Sequence, residues 1–201
     1  MSLDRLALFI IAELVFSLTP GPTVMMISAY GFRGGFRDAL AAICGTQTGN
    51  AIWYVASVAG LGAAVAAWPL AFTAIRLAGA TYLIWLGISE IRASFRRTDD
   101  SAPRLTRGPY IQALLTQLSN PKALLFFAAL LPQFLDTGRA LMPQYALMFL
   151  IIFVGESIIL SGYGWLAAAG GRAASSHAIW RERISGAVLI GLGMMFALAH
   201  L

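Results

Sequence analysis

The chain has 201 residues, 59% of them hydrophobic and only 11% charged, with a net charge of +5. Soluble domains carry about 25% charged residues, so this composition and a mean hydropathy of +0.75 exclude an ordinary water-soluble enzyme and a disordered chain. One cysteine and two histidines exclude a disulfide scaffold and leave no spaced ligand set, so neither a metal nor a cofactor is expected.

A bilayer core about 30 Å thick needs about 20 apolar residues per helix. Six stretches qualify. The first, residues 6–30, contains Glu13 and the run Leu18-Thr19-Pro20-Gly21-Pro22. Only Arg5 precedes it and Glu13 interrupts it, so it reads as a retained helix and not a signal peptide. The second, 39–67, holds Thr46, Gln47, Thr48 and Asn50 around a Gly45-xxx-Gly49 pair that permits close helix approach. Gln47 and Asn50 read either as packing glue or as amides that hydrogen-bond both ends of a zwitterion. The third, 70–91, carries Arg76 near one end, placed to snorkel to the interface. A polar, arginine-rich linker spans 92–108. The fourth, 109–135, contains Ser119-Asn120-Pro121-Lys122-Ala123. The fifth, 143–169, contains Glu156, and the shorter sixth spans 184–201. Trp53 and Trp165 read as interfacial anchors or packing residues.

Residues 1–201 thus form one transmembrane domain, with a first repeat 1–91, the linker, and a second repeat 109–201. Most arginines, Arg33, Arg37 and Arg107 among them, follow helices one, three and five, whereas Arg5 and Arg139 lie on the other side. The positive-inside rule puts the first set in the cytoplasm and both termini in the periplasm. These cations form no stripe on a soluble module, so nucleic acid is not a partner.

The halves align Pro20 with Pro121 and Thr19 with Asn120. Three helices per half force opposite orientations, the layout that places a transporter's site at the midplane. Proline lacks an N–H and clashes with the preceding turn. Thr19 or Asn120 at the N-cap, with proline next, restarts a helix inside the membrane. Its exposed N–H groups and positive dipole end suit a carboxylate. The plain alternative is a pair of ordinary proline kinks. The expected fold is an all-α integral membrane protein of six transmembrane helices, two inverted three-helix repeats with helices one and four broken at proline.

Glu13, Lys122 and Glu156 lie inside spans, where ionisable groups are costly and mark function or pairing. Lys122 follows Pro121 at the positive start of a half-helix, so it needs a negative partner: Glu156, Glu13 or a substrate carboxylate. The alternative is a permanent buried ion pair. Glu156 is a candidate proton carrier. Glu13 is another, or a partner for a substrate amine, or a residue at the edge of an outer vestibule.

The run Leu18 to Pro22 and the glycine-rich stretch 31–49 stand in the first half. Asn120-Pro121-Lys122-Ala123, followed by Phe126-Phe127 and Pro132-Gln133-Phe134, stands in the second. With these motifs, and over essentially its whole length, the chain resembles the LysE/RhtB-type amino-acid exporters, small bacterial inner-membrane proteins with six predicted helices. The resemblance implies export of amino acids or close derivatives by proton antiport. The family's substrates include basic amino acids, threonine and homoserine, leucine and cysteine-pathway metabolites, and the resemblance selects none of them.

The expected function is therefore that of a multi-pass inner-membrane secondary exporter, with an amino acid, protons and the bilayer as partners. The glycine-rich faces are compatible with a homodimer. No H-E-x-x-H, G-x-S-x-G or G-x-x-x-x-G-K-[ST] motif is present, so it is not read as an enzyme. The alternative is a passive channel or pore for small polar solutes, which proton-independent flux would reveal. The candidate substrate-binding residues are Thr19, Pro20, Gly21, Pro22, Gln47, Asn50, Asn120, Pro121 and Lys122. The candidate proton-coupling residues are Glu13, Glu156 and Lys122.

Overall fold

The computed structural model describes residues 1–19, 21–67 (side chains to 60), 105, 107–136 and 138–170, with scattered positions within 77–95 and 183–194. All regular structure among them is helical. The third and sixth expected spans and much of the linker fall outside the described residues, as do Pro20 and Arg76.

The side chain of Ser2 accepts from the Arg5 amide and starts α1, Leu3–Leu18. Helix α2, Pro22–Ala67, follows and contains a break at Gly35. Helix α3 is Pro109–Leu118 and α4 is Pro121–Leu125. A wide π-turn, Phe126–Leu130, and a tight 3₁₀ turn, Leu131–Phe134, continue from α4. Helix α5 is Leu141–Ala168. It is long and apolar enough to cross a bilayer by itself. Two bent pairs qualify when each is taken as one span: α1 with α2, bent by 52°, and α3 with the helical turns through Phe134, bent by 51°.

Contacts fix the directions. Thr23 bonds Gln117 and Tyr30 bonds Gln112, so the arm 22–34 of α2 runs antiparallel to α3. Gly45 lies against Tyr110 and Gly49 against Gln117, so the arm 36–67 runs parallel to α3. The chain therefore turns back at Gly35, whose φ of 75° is the left-handed conformation that glycine adopts at no steric cost. Glu13 meets Gly155 and the Leu18 carbonyl meets Tyr163, so α5 runs parallel to α1. Phe9 packs edge-on against Phe134, and the Phe16 ring lies tilted against Phe126. Broken segment α1 thus runs antiparallel to the continuation of α4.

Two apolar clusters flank the middle of the molecule. One gathers Phe9, Tyr54, Phe127, Phe134, Tyr145 and Met148. The other gathers Val24, Ile27, Tyr30, Ala39, Ile43 and Leu160. Glu13 and Ser17 on α1, Gln47 and Asn50 on α2, Gln117 on α3 and Glu156 on α5 fall between the two.

Gly45 and Gly49 set a close contact between α2 and α3. A Cβ on Gly45 would stand 2.1 Å from the Tyr110 carbonyl oxygen, and that neighbour is backbone, which cannot swing aside. Gly45→Val is expected to lower stability by about 1–3 kcal/mol through overpacking. Thermal unfolding of the purified protein in detergent checks this. Gly60→Ala, at a position with nothing within 4 Å, serves as the control and is expected to melt like the parent.

Candidate functional site: two proline breaks around a carboxylate cavity

Each proline removes a donor and leaves a carbonyl four residues earlier without its helical partner, which is costly away from water. The fold supplies replacements. Pro20 has no N–H for the Phe16 carbonyl, and that oxygen accepts instead from Lys122 Nζ at 2.8 Å. Pro22 has none for Leu18, whose carbonyl accepts from the Tyr163 hydroxyl at 3.0 Å. Pro121 has none for Gln117, whose carbonyl accepts from the Asn120 amide at 3.2 Å and from the Trp53 indole N–H at 3.3 Å. In the π-turn the Leu131 amide reaches back to Phe126, so Pro132 is the next residue that Phe127 would need. Ser57 donates to the Phe127 carbonyl at 2.6 Å in its place. Trp53 and Ser57 both lie on α2, so the breaks of the second half are held by the first half.

The two breaks lie side by side. A Cβ on Gly21 would come within 3.9 Å of Lys122 Cδ, and Lys122 Nζ also donates to the Thr19 carbonyl at 3.1 Å. At the second break the structure follows the expectation: Asn120 is the N-cap, its side chain accepts from the Lys122 amide at 3.0 Å, and Pro121 comes first in the new helix. The first break differs in register. Helix α2 begins at Pro22, and the Gly21 carbonyl accepts from Met25 just as that of Asn120 accepts from Leu124. Pro22, and not Pro20, therefore holds the position of Pro121. Thr19 is the C-cap of α1, and its hydroxyl donates back to Val15 at 2.7 Å. Two prolines in this break orphan two carbonyls, so α1 must be closed before a new helix opens.

Lys122 thus answers the objection raised by its position. It begins α4, but its ammonium group reaches the free carbonyls of α1, the negative end of that helix. It also stands over the Phe16 ring, 4.5 Å from the centroid.

A polar chain runs from the second break to α5. Thr23 donates to Gln117 Oε1 at 2.7 Å, and Asn120 Nδ2 reaches Thr23 Oγ1 at 3.3 Å. Gln117 Nε2 donates to Asn50 Oδ1 at 2.5 Å. Asn50 Nδ2 donates to Glu156 Oε2 and, at 3.2 Å, to Gln47 Oε1. Gln47 Nε2 donates to Ser157 Oγ at 3.0 Å. Gln47, Asn50, Gln117 and Asn120 are all buried. Networks of this kind hold a unique arrangement because each unpaired member would be costly.

Glu13 is 2% exposed. Its Oε1 accepts from Ser17 at 2.6 Å, while its Oε2 has no hydrogen-bond partner. That oxygen packs beside Gly155, where a Cβ would stand 3.1 Å away. Glu13, Ser17, Asn50, Gln117 and Glu156 line one cavity of about 20 Å³ together with the apolar Phe16, Ala123, Phe126, Phe127 and Ile152. Such a volume holds about one water. Two carboxylates facing a space of that size favour a positive guest, a proton or an ammonium group. Among the described residues no His, Cys, Asp and Glu cluster could hold a metal.

The expected residues therefore converge, apart from Pro20, which the structure does not describe. Residue-type reasoning missed Ser17, Gln117, Thr23 and Gly155. Ser17 and Gln117 carried a signal, since each is the penultimate residue before a break. Trp53, read as an anchor or a packing residue, packs against the first apolar cluster and also donates to the second break.

Residues 14–200 match the model of the family described as LysE type translocator. The chain belongs to that family. It is 36% identical over 195 residues to an uncharacterized membrane protein of Vibrio cholerae, covering 95% of each chain. It is 34% identical over 161 residues to a homoserine/homoserine lactone efflux protein of Salmonella typhimurium, covering 79% of this chain and 78% of that one. An uncharacterized membrane protein of Pseudomonas aeruginosa is 30% identical over 190 residues, covering 89% and 85%. No solved structure matches. A LysE type translocator is a transporter and not an enzyme, which agrees with the composition and with α5 as a membrane-crossing helix.

Proposed function

We propose that this translocator exports an amino acid or a close derivative across the bacterial inner membrane in exchange for protons. The observation that carries this reading is the pair of carboxylates, Glu13 and Glu156, facing one water-sized cavity beside two helix breaks. Six helices form two inverted three-helix repeats, with the arginine-rich loops in the cytoplasm and both termini in the periplasm. The antiparallel run of the two broken segments and their bends of 52° and 51° support that arrangement.

The half-helix starts at Gly21–Pro22 and Asn120–Pro121 receive the substrate carboxylate. Glu13 Oε2, which lacks a partner, takes the substrate ammonium group. Glu156, tied to the second break through Asn50 and Gln117, carries the proton. The cavity is too small for an amino acid, so this state is a contracted one, with an apolar cluster on either side of the polar layer. Opening on either side requires helices to separate at one cluster.

The name of the Salmonella relative makes homoserine and its lactone the first solutes to test. Proteoliposomes holding mixed amino acids, homoserine and homoserine lactone are assayed for efflux with and without an imposed pH gradient. The expected result is selective, gradient-dependent loss of one solute or a few. Gradient-independent leakage of many solutes would contradict the reading and indicate a pore.

A further inference from the structure

A second, larger recess lies along α3. It measures about 290 Å³ and is lined by Arg107, Gln112, Leu115, Thr116 and Ser119. These residues extend from the last arginine of the linker to the residue that ends α3 at the second break. At 1.5 Å per residue the ten-residue helix between covers about 15 Å. The recess is many times the size of the inner cavity and has room for a solute of several heavy atoms. Four of its five lining side chains are polar or charged.

Arg107, an exposed linker residue that lines the recess, has a backbone that is held in place. Its carbonyl accepts from the buried Tyr30 hydroxyl at 2.6 Å, and its amide donates to Gln112 Oε1 at 3.1 Å. Two different helices thus fix the backbone that carries the guanidinium. A guanidinium offers a rigid fork of donors that matches a carboxylate.

We propose that this recess is a cytoplasmic capture site in which Arg107 binds the carboxylate of the substrate before it reaches the break at Ser119 and Asn120. The inference rests on the proposed export function, its orientation and a homoserine-type substrate. It commits the recess to α-amino acids with a free carboxylate, as distinct from esters or lactones of the same skeleton.

Homoserine carries that carboxylate and homoserine lactone does not, so the pair separates the capture step from everything downstream. Initial rates are measured in inside-out vesicles, with the parent, Arg107→Gln and Arg107→Lys. The backbone bonds of Arg107 do not involve its side chain, so both variants are expected to fold. An exposed charge pair contributes little, so Arg107→Gln is expected to raise KM for homoserine about three- to fivefold with Vmax unchanged. KM for the lactone stays at the parent value, and Arg107→Lys falls between. Equal changes for both solutes, or none for homoserine, would overturn the capture site while leaving the export function standing. A parent protein that moves neither solute would overturn the inference together with the homoserine-type substrate on which it rests.

Discussion

Glu156→Gln is expected to abolish proton-driven accumulation while leaving substrate-for-substrate exchange. Glutamine keeps the shape of the side chain and an oxygen for the Asn50 amide, so the polar chain through Gln117 persists. What it loses is the ability to gain and release a proton. One proton per substrate across one pH unit is worth about 1.4 kcal/mol, which sustains a concentration ratio of about tenfold. The variant is expected to hold a ratio near one under the same gradient. Glu13→Gln is expected to differ, reducing exchange and gradient-driven export together, because it removes the partner assigned to the ammonium group. Measuring both modes in the same vesicles separates the two roles, and identical behaviour of the two variants would contradict the division.

Lys122→Met is expected to lower both stability and transport. The ammonium group donates to the Phe16 and Thr19 carbonyls, and methionine leaves both without that donor. Losing a hydrogen bond of this kind costs about 1–3 kcal/mol, so a loss of about 2–6 kcal/mol for the two is expected in thermal melts of the detergent-solubilised protein. A double variant distinguishes this role from a glutamate ion pair. If Lys122 mainly neutralised Glu156, then Glu156→Gln would restore much of the stability lost in Lys122→Met. Closure of α1 by Lys122 predicts no such restoration, because the bonds from its ammonium group remain lost.

The sequence made the breaks legible because proline chemistry is local. Pro20, Pro22, Pro121 and Pro132 each remove an N–H wherever they stand, so the interruptions in α1–α2 and α3–α4 follow from identity alone. The replacements are not local. Lys122, Tyr163, Trp53 and Ser57 come from segments far along the chain, and only the packed fold pairs each with its carbonyl. Lys122 illustrates the difference: its neighbours in sequence pointed to a carboxylate partner, while its neighbours in space include two helix-end carbonyls. The register of the first break was misread for a similar reason. Two prolines stand there, and which one opens the next helix depends on where α1 closes. Glu13 and Glu156 were visible as charged residues in apolar runs, but their sharing of one cavity depends on α1 running parallel to α5, with Gly155 leaving room for Glu13 Oε2. Gly45 and Gly49 were legible as close-contact glycines, whereas their partner, α3 of the same chain, was not.

The most direct test of the account is proton movement driven by substrate. Proteoliposomes containing a pH-sensitive dye and no initial pH gradient are given an outward gradient of whichever solute the efflux assay identifies. The account predicts inward proton movement and acidification of the lumen in the parent, with no such movement in Glu156→Gln despite continued solute exchange. Solute efflux from the parent with no accompanying proton movement, or equal proton movement in parent and variant, would contradict it.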